Sequence, residues 1–379
     1  MKRLIHRSAL LFNAFLVAGL ILSYLSVYIN PKDLWIAALF GLAYPYLLTL
    51  NLIMIIYWSV QLKKEILISL IAILIGWNNL QNFVRPPVLS NPNSNRKEFK
   101  TEYPKDTGNT VMYNFLSYNV RLFNYYKWLD TPDAKDGILR LIAERKPDIL
   151  CLQEIFLTGE KGTLTIDSLK NKIGKATFSH VTWALSQKSK KNYGIATFSR
   201  FPIVNKGDIR FPNTINLSIF TDVKINNDTI RIYNNHLQSV RLRKKSYSFL
   251  KTLNNIDEEE TIDEIKDISF RLKHAFTLRA EQARIIASHI ENSPYPVLVC
   301  GDFNDTPVSY SYHKIRGKLK DAFVESGTGI GNTYLGKFPS YRIDYILHSD
   351  NIKSSHFETL RVNYSDHYPV TCNLYLRSE

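Results

Sequence analysis

Four apolar runs in this 379-residue chain stop at polar residues suited to holding a hard cation or a phosphate. Leu116-Ser117-Tyr118 leads to Asn119, and Ile149-Leu150-Cys151-Leu152 leads to Gln153 and Glu154. Ile230-Arg231-Ile232-Tyr233 leads to Asn234, Asn235 and His236. Val297-Leu298-Val299-Cys300-Gly301 leads to Asp302 and then Asn304. Strands that end side by side would bring these residues onto one rim of a sheet, where α/β folds place their sites. Oxygen ligands without a cysteine cluster suit Mg2+ or Mn2+ rather than zinc. A hard cation neutralises phosphoryl oxygens, a carboxylate orients or deprotonates water, and a histidine moves protons. The pattern therefore points to phosphate-ester hydrolysis.

Taken singly these residues have ordinary explanations. An Asn after a strand is a turn residue, Glu154 could open a helix, and His236 could be a hydrogen-bonded structural histidine. Asp344 is different, because it sits inside the apolar run Tyr341-Arg342-Ile343-Asp344-Tyr345-Ile346-Leu347. A charge there is costly unless it is paired. Ser365-Asp366-His367 offers a partner, since an Asp beside His367 would fix the imidazole tautomer and raise its pKa.

The ordered set Asn119, Leu152-Gln153-Glu154, Asn235-His236-Leu237, Gly301-Asp302-Phe303-Asn304, Arg342-Ile343-Asp344-Tyr345-Ile346 and Ser365-Asp366-His367 resembles the endonuclease/exonuclease/phosphatase superfamily. The likeness runs from about Val111 to the C-terminus, and Gly194–Ile203 resembles the central strand and turn of that family. It implies a four-layer α/β (α+β) sandwich of two facing mixed β-sheets with helices outside. It also implies roles: Glu154 as the principal Mg2+ ligand, with Asn119 beside it and Asp366 nearby. Asp302 would position or deprotonate the water, and Asn304 would hydrogen-bond the phosphate. His367, oriented by Asp344, would bind the phosphoryl oxygen or move a proton, and His236 would serve the leaving group. His236 is similar to the deoxyribonuclease I and sphingomyelinase branches. The absent Cys-Asp-Arg signature counts against inositol 5-phosphatases.

Positioning such a rim requires strands, and the short β-rich runs supply them: Tyr113–Asn119, Ile149–Gln153, Gly194–Ser199, Leu217–Ile225, Thr229–Asn235, Val297–Cys300, Arg342–His348 and Val370–Leu376. Ile138–Glu144 and Ala275–Ile290 read as helices, and 240–273 as a partly helical surface insertion or cap. Cys151 and Cys300 lie in apolar runs as small core residues. With only three cysteines, no disulfide framework or zinc pattern is present.

The N-terminal part is of another kind. Ser8–Ile29, Leu34–Leu62 and Ile66–Val84 contain no Asp, Glu, Lys or Arg over 22, 29 and 19 residues. Crossing a bilayer takes about 20 helical residues, so three transmembrane helices are expected within 1–84. A Pro-rich linker over 85–109 and a catalytic domain over 110–379 would follow. Lys2, Arg3, Arg7, Lys63 and Lys64 fall on one side of these spans and only Lys32 and Arg85 on the other. That bias predicts a multi-pass protein of the cytoplasmic (inner) membrane, with its catalytic domain on the extracytoplasmic side. Beyond residue 84, 42 Lys and Arg against 32 Asp and Glu leave +10, which favours an anionic partner. The expected substrate is a phosphodiester, of a lipid headgroup or otherwise. Nucleic acid is the alternative, and an inactive binding scaffold a remoter one. No small organic cofactor is expected, and nothing sets an oligomeric state.

Overall fold

The computed structural model describes residues 2–86, 110–157, 164–174, 178–184, 192–251, 258–336 and 341–377. Of the linker expected over 85–109, residues 87–109 lie outside these, as do residues 252–257 of the insertion. The chain divides into two compact units. One comprises Met1–Phe83, Gln238–Ala287 and Asp305–Gly317, the other Val84–Leu237, Ser288–Asn304 and Lys318–Glu379.

The first unit begins with helices α1 (Lys2–Ser26) and α2 (Pro31–Val60). Asn30 caps α2 by accepting the Lys32 N–H at 3.0 Å. Pro31 takes the first helical position, where a missing N–H costs nothing. These two helices are long and apolar enough to cross a membrane. The third expected span is not a single helix. It breaks at Gly76 into α3 (Ile66–Ile75) and α4 (Trp77–Gln81). Gly followed at once by Trp and two Asn ends the helix after 10 residues, which rise only about 15 Å.

A buried polar chain ties the three apolar stretches together. Trp58 Nε1 donates to Asn13 Oδ1 (2.8 Å), Asn13 Nδ2 to Ser69 Oγ (2.6 Å), and Ser69 Oγ to Asn51 Oδ1 (2.9 Å). Buried polar side chains need such partners, and these join the three stretches to one another. The unit also holds α7 (Lys244–Lys251), α9 (Tyr310–Arg316) and most of α8 (Glu258–Glu291). The helix expected at Ala275–Ile290 is thus the C-terminal half of a 34-residue one.

The second unit is built on two six-stranded mixed sheets flanked by helices. One has β2 (Thr110–Asn119), β3 (Ile149–Leu157), β4 (Phe178–Trp183), β5 (Asn192–Ser199), β13 (Ile352–Thr359) and β14 (Val370–Arg377), in the order β13-β14-β2-β3-β5-β4. The other has β6 (Ile203–Arg210), β7 (Leu217–Ile225), β8 (Asp228–His236), β9 (Val297–Asp302), β10 (Lys320–Asp321) and β12 (Asp344–His348), in the order β10-β12-β9-β8-β7-β6. Two short strands, β1 (Val84–Arg85) and β11 (Gly329–Ile330), pair separately.

Each sheet contains one parallel pair, β2/β3 and β8/β9, and the remaining pairs are antiparallel. Facing side chains interleave in one core, with Tyr113, Phe115 and Cys151 from the first sheet and Ile230, Ile232, Leu298 and Cys300 from the second. Helices α5 (Ala134–Arg145) and α6 (Ile166–Ile173) cover the first sheet through Ile138, Ile142, Leu169 and Ile173. The short α10 (Ala322–Ser326) inserts Phe323 into the inter-sheet core.

Polar links also cross between the sheets. Gln153 Nε2 donates to Asn234 Oδ1 at 2.7 Å, and the His180 Nδ1 lies 2.9 Å from Thr221 Oγ1. Burial, reinforced by Lys206, pulls His180 down to about 4. An unfolded histidine takes up its proton near pH 6.5, so stability is complete above that pH and is lost as pH falls towards 4. The loss is roughly 2–3 kcal/mol. Unfolding of wild type and His180→Gln near neutrality and at about pH 4.5 should show the extra acid loss only in wild type. Equal acid losses would refute the assignment.

Candidate active site

The site residues collect where the parallel pairs end together. On the first sheet Asn119 closes β2 opposite Gln153 of β3, next to Glu154. On the second sheet Asp302 stands opposite both His236 of β8 and Asp344 of β12. Two backbone devices make this possible. The register of β3 against β5 shifts between Leu152 and Ile155, and Glu154 within that bulge has φ 51°. A bulge re-aims a side chain, here at the cost of a left-handed residue. Gly301 has φ 115°, and a Cβ there would lie 2.1 Å from Asn235 O. Only glycine lets β8 and β9 run this close just before Asp302.

Asp302, 1% exposed, is the hub. Its Oδ1 accepts the Asn304 N–H (2.8 Å), and its Oδ2 accepts both Asn304 Nδ2 and Asn119 Nδ2 at 3.0 Å. Asn119 Nδ2 also donates to Glu154 Oε1 (3.1 Å), while its Oδ1 accepts from Arg121 N (3.0 Å). Asn119 thus bridges the two carboxylates through its amide nitrogen. His236 Nε2 lies 3.3 Å from Glu154 Oε1 and 3.9 Å from Asp302 Oδ2, without an aligned hydrogen bond.

On the other flank His367 Nδ1 meets Asp344 Oδ2 at 3.0 Å, and its Nε2 points to Asp302 Oδ2 at 3.7 Å. The buried Asp344 of the sequence reading therefore faces the imidazole. Thr333 Oγ1 accepts the Ile343 and Asp344 N–H groups (3.0 and 3.1 Å), and Tyr334 sets its ring edge-on to His367. Asp366 forms an ion pair with Arg121, whose guanidinium also lies 5.3 Å from the Trp128 ring centre. All eight residues named from sequence thus lie in one region. Asp366 faces an arginine, and Asn119 offers a donor rather than an oxygen.

Burial opposes charge on each group, and the neighbours decide the outcome. Burial pushes Glu154 up, but the His236 ring, the Asn119 amide and His367 outweigh it and hold its pKa at about 2. Asp302 is pushed up to about 6 by burial together with Asp344, against the pull of His367 and His236. Burial pulls both histidines down, yet Glu154 and Asp302 raise His236, and Asp344 and Asp302 raise His367 well above its ordinary value. Burial also raises Asp366, against His367 and Arg121.

Among the described residues, the donor atoms of Glu154, His236 and Asp302 lie within 4.8 Å of one another, as do those of Asp302, Asp344 and His367. Convergent carboxylate oxygens, and a His236 Nε2 with no aligned partner, fit a metal ion. Arg121, Thr333 and Tyr334 were not singled out from sequence. An arginine two residues past a strand end carries no signal, and Thr333–Tyr334 belongs to no motif.

A model described as the Endonuclease/Exonuclease/phosphatase family matches residues 116–367, and one described as a domain of unknown function matches residues 2–83. No curated protein sequence matches the chain. The fold is shared with an endonuclease/exonuclease/phosphatase from Bacteroides vulgatus, at 17% identity and a TM-score of 0.51, covering 70% of this chain and 99% of that one. It is shared with the human Nocturnin catalytic domain with bound sulfate anion, at 20% identity and a TM-score of 0.50, covering 70% and 96%. An endonuclease/exonuclease/phosphatase from Beutenbergia cavernae matches at 16% identity and a TM-score of 0.50, covering 70% and 72%. Sheets, rim and family match agree: the chain belongs to the endonuclease/exonuclease/phosphatase family.

Proposed function

We propose that this protein is a Mg2+-dependent phosphodiesterase held at the cytoplasmic membrane by its N-terminal helices, acting outside the cytoplasm on a lipid headgroup or another phosphodiester. Members of its family hydrolyse phosphoester bonds. The observation that carries the reading is Asp302, buried between Asn119, Asn304, His236 and the Asp344–His367 pair. Glu154 is the principal metal residue, flanked by Asn119 and Asp366. A bound Mg2+, with Mn2+ as a substitute, would neutralise charge on the phosphoryl oxygens. Asp302 aligns the water and takes its proton, and Asn304 donates to the phosphoryl group. His367, kept protonated by Asp344, neutralises developing charge, and His236 returns a proton to the leaving oxygen. Most of this is positioning and preorganised electrostatics.

Outward-facing Leu11, Phe15, Ile53, Ile56 and Leu74 support a membrane setting for the bundle. His6, near the start of α1, meets Glu65, and Phe83 packs on Tyr44, which meets Tyr24 close to the end of α1. Despite the break at Gly76, the chain therefore enters and leaves the bundle at opposite ends. That supports an extracytoplasmic catalytic unit, with Lys2, Arg3, Arg7, Lys63 and Lys64 inside.

One observation favours the nuclease reading. Exposed Trp128 stacks on Tyr126 beside Arg121, which pairs with Asp366. Aromatic faces next to a basic group suit a nucleobase. The full chain with Mg2+ should therefore be offered sphingomyelin, glycerophospholipids, bis-p-nitrophenyl phosphate, plasmid DNA and RNA, each beside Glu154→Ala. Metal-dependent cleavage of a lipid or the generic diester without nicking is the expected result. Nicking that Glu154→Ala abolishes would replace it with the nuclease. Protease added to intact spheroplasts should release the catalytic unit, and protection there would reverse the topology.

A further inference from the structure

Two site strands run directly into the first unit. Past His236 of β8 the chain continues through Leu237 to Gln238, and past Asp302 of β9 it continues through Asn304 to Asp305. Arg279 of α8, 1% exposed, holds both continuations. Its Nε donates to Asp305 Oδ2 at 3.0 Å and its Nη1 to Gln238 O at 2.7 Å. Gln282, nearly one turn along α8, accepts the Gln238 N–H at 2.9 Å.

The segment after Asp305 is seated on the N-terminal bundle. Val308 is fully buried in a cluster with Leu20, Val27, Tyr44 and Leu48. Thr306 Oγ1 lies 3.5 Å from Gly41 O, and Tyr28 sets its ring edge-on to His313. Gly41 is the point of closest approach, since a Cβ there would lie 2.1 Å from Val308 O and 2.7 Å from Ser26 Oγ. The α2 backbone therefore abuts residues 305–309 at a spot that admits no side chain.

We infer that the N-terminal bundle is a positioning part of the catalytic apparatus as well as an anchor: the Gly41 face of α2 seats Asp305–Ser309 and so fixes Asn304 and Asp302. The inference rests on the phosphodiesterase reading above. Asn304 has φ 53°, a left-handed conformation that persists only where the surroundings over-determine it. Its own amides hold Asp302 and Leu237 O. The next residue, Asp305, is held by Arg279, and the three after it lead into the seat. Gly41, Val308 and Arg279 are positioning residues, because each acts on the reacting groups through the chain. Site groups must be held to a fraction of an ångström, and a small displacement costs rate more than binding.

The test uses the full chain in lipid nanodiscs, with hydrogen–deuterium exchange over 302–309 and steady-state hydrolysis of bis-p-nitrophenyl phosphate. Gly41→Val should raise exchange across 302–309 and lower kcat by about 10- to 100-fold, with KM changing little. Val308→Ala should shift both in the same direction by less, and it serves if Gly41→Val fails to fold. Gly19→Ala, whose new Cβ would have the flexible Leu47 side chain as its nearest neighbour at 3.0 Å, should leave both unchanged. Raised exchange with unaltered kcat, or a change in KM alone, would overturn the inference. Exchange needs no turnover. A wild type that cleaves no diester therefore sinks the function proposed above, while the seat is still judged: unchanged exchange in Gly41→Val refutes it, and raised exchange upholds it.

Discussion

Asp302→Asn should lower kcat by about 10²-fold or more while leaving the circular dichroism of the protein intact. The substitution keeps the volume of the side chain and removes what the surroundings are arranged around. Three N–H donors aim at this carboxylate: the Asn304 backbone, the Asn304 amide and the Asn119 amide. An asparagine can offer one oxygen to them. Its NH2 must then face donors, either the Asn304 backbone N–H or the two side-chain amides, and in the second orientation the link between Asp302 and Glu154 through Asn119 is lost. The group 3.7 Å from His367 Nε2 also loses its ability to take a proton. Steady-state hydrolysis of a generic diester at saturating metal reads the effect. A variant keeping a tenth or more of wild-type kcat, on the order-of-magnitude scale of such deletions, would remove Asp302 from the centre of the mechanism.

The strands around that centre were legible because they are interior strands. β2, β3, β8, β9 and β12 have a neighbour on each side and read as largely apolar runs with a polar residue at the rim end. Apart from the two-residue strands β1, β10 and β11, the strands without a counterpart among the expected runs are β4, β6 and β13, and each lies at an edge of its sheet. Ile203-Val204-Asn205-Lys206-Gly207-Asp208-Ile209-Arg210 and Ile352-Lys353-Ser354-Ser355-His356-Phe357-Glu358-Thr359 carry the charges and polar residues that keep an edge from pairing with another chain. What protects such a strand also hides it.

Within the site, the need of Asp344 for a partner followed from the cost of a buried charge, and its distance to His367 is short. The roles of the other residues came from resemblance to the family rather than from the residue pattern. The bulge that turns Glu154 inward and the Arg121–Asp366 pair depend on contacts between distant segments, which no local spacing encodes. The third apolar stretch was misread for the opposite reason. Its composition is that of a span, but Gly76, Asn78 and Asn79 decide where the helix stops. The segment 240–273, with its basic and acidic groups, reads as a partly helical surface insertion or cap. In the structure it contributes α7 and the first half of α8, the helix whose later turn carries Arg279. The tie from Arg279 to Asp305 and Gln238 spans 26 and 41 residues and is visible only once the chain is folded.

Chelation by EDTA should bring hydrolysis to background, with Mg2+ or Mn2+ restoring it, and Glu154→Gln should make that restoration far less effective. Glu154 suits the test because its charge is secure: its pKa is held at about 2, so it is ionised across the working range and needs no cation to become so. Gln keeps the length of the side chain and an oxygen that can accept the Asn119 amide, so the bridge to Asp302 can survive while the charge does not. Loss of a supporting partner alone typically weakens metal affinity by about 10- to 100-fold, and loss of the principal carboxylate should do at least as much. The measurement is a metal titration of diester hydrolysis for wild type and variant, with Mn2+ binding followed directly as a readout that needs no turnover. A variant with the wild-type metal requirement, whatever its kcat, would move the metal away from Glu154 towards the Asp302–Asp344–His367 group. Activity that survives chelation in the wild type would leave Asp302 and the two histidines to carry out hydrolysis without a cation.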